Sequence, residues 1–290
     1  MALLLICGRI CINAWLNVLQ KRVLQNRLAA VPLVTATFVL LAALVTPFFF
    51  FYSFTNLPSA FWRNMLLVVA LDIPGNFFLV KSVGLSDLSL IGPLNSYKPI
   101  VALVLGMIVL GELPSWQGLS GVAIILLGSL LLAPKREFDQ PNSVKSLWQE
   151  RGAWYRLLAL VFTAAASIFL KAAINASSAM HTFIAWAVLG ACAAAAIFLL
   201  SQYARKQNNP QPVRAHFSAL LLMAALFLAM QLLTLQIFAM MNVAYVLALF
   251  QLSGLVNVLL GWKLFNEGNI LQRALASVIM IVGAVLLIVA

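Results

Sequence analysis

The sequence predicts an all-α membrane protein, with ten transmembrane helices in two inverted five-helix repeats. Three observations lead there. Of 290 residues, 64% are hydrophobic and only 9% charged, whereas an ordinary globular domain is about a quarter charged. A chain this poor in charge cannot clothe a water-facing surface. The apolar residues also fall in blocks of the ~20 residues that a spanning helix needs at 1.5 Å per residue. Finally, the second part of the chain repeats the first at a fixed offset.

The blocks place spans at 2–21, 31–54, 60–82, 87–111 and 115–133, then at 153–174, 179–203, 214–240, 243–265 and 270–290. Residues 1–133 form the first repeat and 153–290 the second. Between them lies the polar segment from Pro134 to Gly152, with both charge signs. A second polar loop, Ala204 to Arg214, carries Asn208, Asn209, Pro210 and Pro212. Strands are not expected, because open sheet edges leave backbone groups unpaired in lipid. The first span starts almost at Met1, without a basic leader region or a small-residue cleavage site, and reads as a retained helix. Cys7, Cys11 and Cys192 sit in apolar stretches without paired spacing and read as small buried residues.

The net charge of +11 does not point to nucleic acid. The basic residues lie mostly in short loops and no aromatic-basic platform accompanies them. Loops after helices one, five and seven carry Lys21, Arg22, Lys135, Arg136, Arg205 and Lys206, among others, while the opposite loops offer Arg63 and Lys171. That bias places the basic loops in the cytoplasm of a cell (inner) membrane, with both termini outside. Trp62, Trp116, Trp154 and the run Phe48 to Tyr52 read as interface anchors.

Residues 89–132 can be laid on 244–287 at an offset of 155, which matches Gly106 to Gly261, Glu112 to Glu267, Gln117 to Gln272 and Gly128 to Gly283. At an offset of 150, Asn13, Asn17 and Lys21 fall on Thr163, Ser167 and Lys171. An odd number of helices per copy forces the second copy to enter the membrane upside down. Inverted repeats of this kind accompany secondary transport, with the solute site near the midplane between the halves.

The run Pro93-Leu-Asn-Ser-Tyr-Lys-Pro99, followed by Gly106, Gly111-Glu112, Gln117-Gly118 and Gly128, resembles the EamA-type repeat of the drug/metabolite transporter superfamily. Lys21 is similar to that family's first-helix lysine. The second copy departs from the pattern: Gly254 replaces the proline, Asn266 precedes Glu267 and Arg273 follows Gln272. The resemblance implies two five-helix units and transport of a metabolite, drug, sugar or amino acid, with export favoured.

Charges inside a span normally face a cavity or a partner. Arg9, Asn13, Asn17 and Gln20 share one face of helix one. They line a cavity, or Arg9 snorkels to the nearby terminus while the amides join helices. Asp72 stands beside Pro74, Gly75 and Asn76, where a helix break is expected; Asp72 and Asn76 are candidates for coupling to a proton or ion, and Asp72 is otherwise a counter-ion. Lys98 lies midway along its span with Asn95 and Tyr97 nearby, and its repeat mate is the uncharged Ser253. The fold therefore does not demand a lysine there, which favours contact with an anionic solute over an ion pair with Asp72. Gln231, Gln251, Ser253 and Asn257 are further solute-binding candidates, with interhelical hydrogen bonding as the plainer reading. Glu112 and Glu267 end helices and read as acceptors for free amides. His181 and His216 have no acidic or cysteine neighbour at metal-ligand spacing.

The expected function is secondary transport of a small organic solute, a metabolite or amino acid, anionic ones included, by alternating access. The rivals are a membrane-embedded enzyme, for which convergent catalytic groups are missing, and a channel, which the repeat disfavours. Enzyme activity, cofactors and metals are not expected, and there is no GxxxxGK[ST] loop for ATP. The expected partners are the solute, the lipid bilayer and a coupling proton or ion, without nucleic acid, for a monomer or weak dimer.

Overall fold

The computed structural model describes residues 2–25, 30–85, 97–131, 151–204, 216–253, 256 and 270–289. Among these residues there are ten α-helices and no strands. They are α1 (Ala2–Gln25), α2 (Ala30–Val45), α3 (Ser59–Leu85), α4 (Lys98–Leu110) and α5 (Trp116–Leu131), then α6 (Arg151–Ala176), α7 (Ala179–Ala204), α8 (Phe217–Met240), α9 (Val243–Phe250) and α10 (Ile270–Val289). Five segments are long and apolar enough to cross a membrane: Val31–Phe50, Ser59–Ser82, Arg151–Ala176, Ala179–Leu200 and Phe217–Met240. Leu3–Leu16, Lys98–Leu110, Trp116–Leu131 and Leu275–Val289 are shorter apolar helices. The chain is a multi-pass helical membrane protein.

Four expectations need correction. The helix expected over 31–54 is α-helical only to Val45 and then tightens into a 3-10 turn, Thr46–Phe50, because Pro47 offers no backbone N–H to the preceding turn. No break occurs at Pro74: α3 runs through it, although its missing N–H cannot serve the Ala70 carbonyl; just beyond it, Asn76 Nδ2 donates 2.8 Å to the Asp72 carbonyl. Lys98 is the first residue of α4 rather than midway along a helix; residues 86–96 lie outside the described residues. Pro99 suits that first turn, where its missing N–H is not needed. The three cysteines are exposed rather than buried. In lipid an apolar outer face is as favourable as an apolar interior.

The helix expected over 243–265 is described only to Phe250 and is followed by a turn at Gln251 and Leu252. Subtracting 155 places that turn at 96–97, directly before α4.

Packing brings helices far apart in the chain together. α2 lies on α7, α4 on α9 and α5 on α10, while α3 packs on α6 as α1 packs on α8. Close approach depends on glycine. A Cβ at Gly75 would stand 2.8 Å from Thr163 Cγ2, and one at Gly283 would stand 2.9 Å from both the Gly121 carbonyl oxygen and the Ile125 amide. Small residues at helix crossings are how membrane helices gain contact in an apolar solvent. Gly118 leaves room for the Tyr245 hydroxyl, which accepts the Ser115 amide at 2.9 Å and ties α9 to the start of α5. The aromatic anchors are exposed at element ends, Phe50 at 89% and Trp116 at 87%.

Candidate functional site

α1 to α4 and α6 to α9 surround a cavity of about 250 Å³. Each contributes from the face it turns inward: Arg9 and Asn13 from α1, Asp72 and Asn76 from α3, Lys98 from α4, Trp186 from α7, Gln231 and Thr234 from α8, and Phe250 from α9. A second chamber of about 150 Å³ shares Arg9, Asn13 and Lys98 with the first and adds Gln251 and Ser253.

The helical spacing explains the α1 wall. Arg9, Asn13, Leu16 and Gln20 recur every three or four residues and all four line the cavity. Arg9 does not snorkel to the terminus: its guanidinium carbon lies 3.6 Å from the centre of the Phe250 ring, and Nε donates 3.5 Å to Thr234 Oγ1. The aromatic face gives the cation an electrostatic partner without a counter-ion. Thr234 Oγ1 in turn donates 2.8 Å to the Met230 carbonyl.

Asp72 accepts the indole N–H of Trp186 at 2.9 Å. Trp186 is held in an aromatic group, with ring centres 5.3 Å from Phe38 and 5.6 Å from Phe227. Lys98 is within electrostatic reach of Asp72, Arg9 and Arg156. Among the described residues no direct ion pair joins Lys98 to Asp72. One oxygen of the Asp72 carboxylate is taken by the Trp186 indole, and its charge still attracts the Lys98 ammonium across the cavity.

Of the residues singled out in the sequence, Arg9, Asn13, Asp72, Asn76, Lys98, Gln231, Gln251 and Ser253 come together around these two chambers. Tyr97 does not line them and is exposed. Asn95, Asn257 and Glu267 lie outside the described residues, as does the side chain of Asn17. Thr163 and Ser167, which the 150-residue offset aligns with Asn13 and Asn17, line the larger chamber. Sequence reasoning missed Trp186, a lone indole deep in a small-residue helix, and Arg156, a charge one turn inside a span. Both were visible as outliers of size or charge within apolar runs.

Glu112 serves the scaffold, but not by capping the helix that follows it. Its carboxylate accepts the amide of Val243, the first residue of α9, at 3.2 Å. Burial raises its titration above the ordinary carboxylate range, against the pull of that amide and of Lys171. Lys171 Nζ donates to the Phe238 and Met241 carbonyls at the end of α8. The α8–α9 turn is thus held by one acid and one base. His181 bonds Ser178 through Nδ1 at 2.8 Å and Ser53 through Nε2 at 3.1 Å, which pins the loop after α2 to the start of α7.

A solved crystal structure of a protein superposes on this chain with a TM-score of 0.74 at 14% identity, covering 99% of this chain and 97% of that one. At that identity the likeness is one of fold. No curated protein matches the chain. The model of the EamA-like transporter family matches residues 1–133, the segment that carries the proline, Gly-Glu and Gln-Gly pattern. Over its first 133 residues the chain is thus similar to the EamA-like transporter family.

Proposed function

We propose that the chain is a secondary transporter that moves a small organic solute bearing an anionic group, by alternating access between two inverted five-helix halves. The observation that carries this reading is a cavity walled by four helices of each half, with Arg9, Lys98 and Asp72 inside the bundle. Buried charge is costly in a membrane and is retained where it meets cargo, water or a partner.

The inversion is supported by the α5–α10 crossing. Gly121 faces Gly283 and Leu287, while Gly128 faces Ala276 and Met280, so the two helices run antiparallel. Adding 155 to Gly121 gives 276, and subtracting it from Gly283 gives 128. The offset thus exchanges the contact Gly121–Gly283 with the contact Ala276–Gly128, as a two-fold axis in the membrane plane requires. Asp72 is the candidate coupling group, and the family resemblance favours export from a cell whose basic loops face the cytoplasm.

Reconstituted in vesicles, the chain should give solute flux that saturates and shows counterflow. Linear, non-saturating flux would turn the reading toward a channel, and a chemically altered solute without a gradient would turn it toward an enzyme. Cysteines placed at 112 and 267 should be labelled from opposite sides of the membrane. Labelling from one side would end the inverted-repeat reading.

A further inference from the structure

Arg156 is a third cation beside the cavity that the arrangement above does not use. It is only 7% exposed, and its Nε and Nη1 are buried without a hydrogen-bond partner. It stands one turn before Ala159 and Leu160, which line the smaller chamber, and within electrostatic reach of Lys98. At the offset of 150 its repeat mate is Ile6, so the fold does not call for a charge at this position. A guanidinium buried with open donors is expensive unless an anion or water meets it.

We infer that the transported solute is a small dianion, such as a phosphate monoester or a dicarboxylate, whose acidic end sits among Lys98, Arg9 and Arg156. This rests on the transport reading above. Among the described residues, Arg9 and Lys98 in the chamber walls and Arg156 one turn beyond them stand against one carboxylate, Asp72, for a formal charge of +2. Even with Arg9 resting on Phe250, a monoanion leaves a net positive charge there; a dianion neutralises it and can take the open N–H groups of Arg156 as charge-assisted donors. The organic part then lies in the larger chamber against Phe38, Trp186 and Phe227. A cavity of about 250 Å³ is below the roughly 300–1,000 Å³ of drug-sized sites, so the body of the solute is a few carbons long.

The test uses the full chain in proteoliposomes and compares counterflow of glycerol phosphate, inorganic phosphate, succinate, butyrate and alanine. A phosphate or dicarboxylate probe should be carried in preference to butyrate and alanine. The two dianion types separate phosphate from carboxylate chemistry. Arg156→Gln should raise the half-saturation concentration of the dianion by roughly tenfold or more, the loss of one charged hydrogen bond, and Arg156→Lys should recover part of it. Preference for butyrate or alanine overturns the dianion assignment, and the wild-type preference decides this even where Arg156→Gln does not fold. If no probe is carried, the same vesicles are given a whole-cell extract. Protein-dependent accumulation of a dianion supports the inference, accumulation of other solutes alone overturns it while transport stands, and accumulation of nothing overturns the transport reading itself.

Discussion

Replacing Gly283 with alanine should destabilise the protein more than replacing Gly128, although the 155-residue offset aligns the two. A Cβ at 283 would lie 2.9 Å from the Gly121 oxygen, the Ile125 amide nitrogen and Ile125 Cγ1. Each is well inside an ordinary van der Waals contact, about 0.6 Å short of the ~3.5 Å usual between carbons. Two of the three atoms are backbone, and the third belongs to a β-branched side chain that is stiff at χ1. At 128 the corresponding neighbours are the Ala276 oxygen and the Met280 nitrogen, both 3.1 Å away, and Met280 Cγ at 2.5 Å. The backbone has more room there, and the closest contact is to an unbranched methionine, which can change rotamer where Ile125 cannot. Overpacking costs about 1–3 kcal/mol, while alanine regains roughly 1 kcal/mol of helix propensity over glycine. The net expectation is a loss of about 1–2 kcal/mol for Gly283→Ala and less than about 1 kcal/mol for Gly128→Ala. Unfolding in detergent with increasing denaturant, followed by circular dichroism, reads both. A Gly283→Ala protein as stable as wild type, or a Gly128→Ala protein more damaged than it, would refute the close-packed α5–α10 crossing.

Lys98→Met should insert and fold but lose affinity for anionic solutes, and adding Asp72→Asn should not restore it, because no direct ion pair joins the two residues; recovery of uptake in the double variant would make Lys98 scaffold instead. Asp72→Asn should flatten the pH dependence of uptake with little change in expression, and normal pH-dependent flux would remove Asp72 from coupling. Burial holds Glu112 above the ordinary carboxylate range, so the folded chain binds that proton more tightly than the unfolded one. Its contribution to stability is therefore present at low pH and is lost as pH rises from the ordinary carboxylate value through the raised one. Glu112→Gln should flatten that part of a melting-temperature profile, and an unchanged slope would count against the burial of this carboxyl.

The sequence by itself determined that the chain lives in a membrane, because helix length and charge content answer directly to bilayer thickness and to the cost of burying ions. It also matched Glu112, Gln117 and Gly128 to Glu267, Gln272 and Gly283 at one offset, which is the ground for expecting a repeat. The polar face of α1 was legible too, because residues spaced by three and four must share a side of a helix. The partners across the bundle could not be read this way. Asp72 with Trp186, Arg9 over Phe250, Glu112 on the Val243 amide and the orphaned Arg156 are contacts between helices far apart in the chain. No local pattern encodes them. In water, apolar periodicity would mark the inner face, but lipid is as apolar as the interior. That is why the cysteines could be assigned to the wrong side, and why the inward face of α7, with Trp186 on it, was settled only by the packing of α2, α3 and α8 around it.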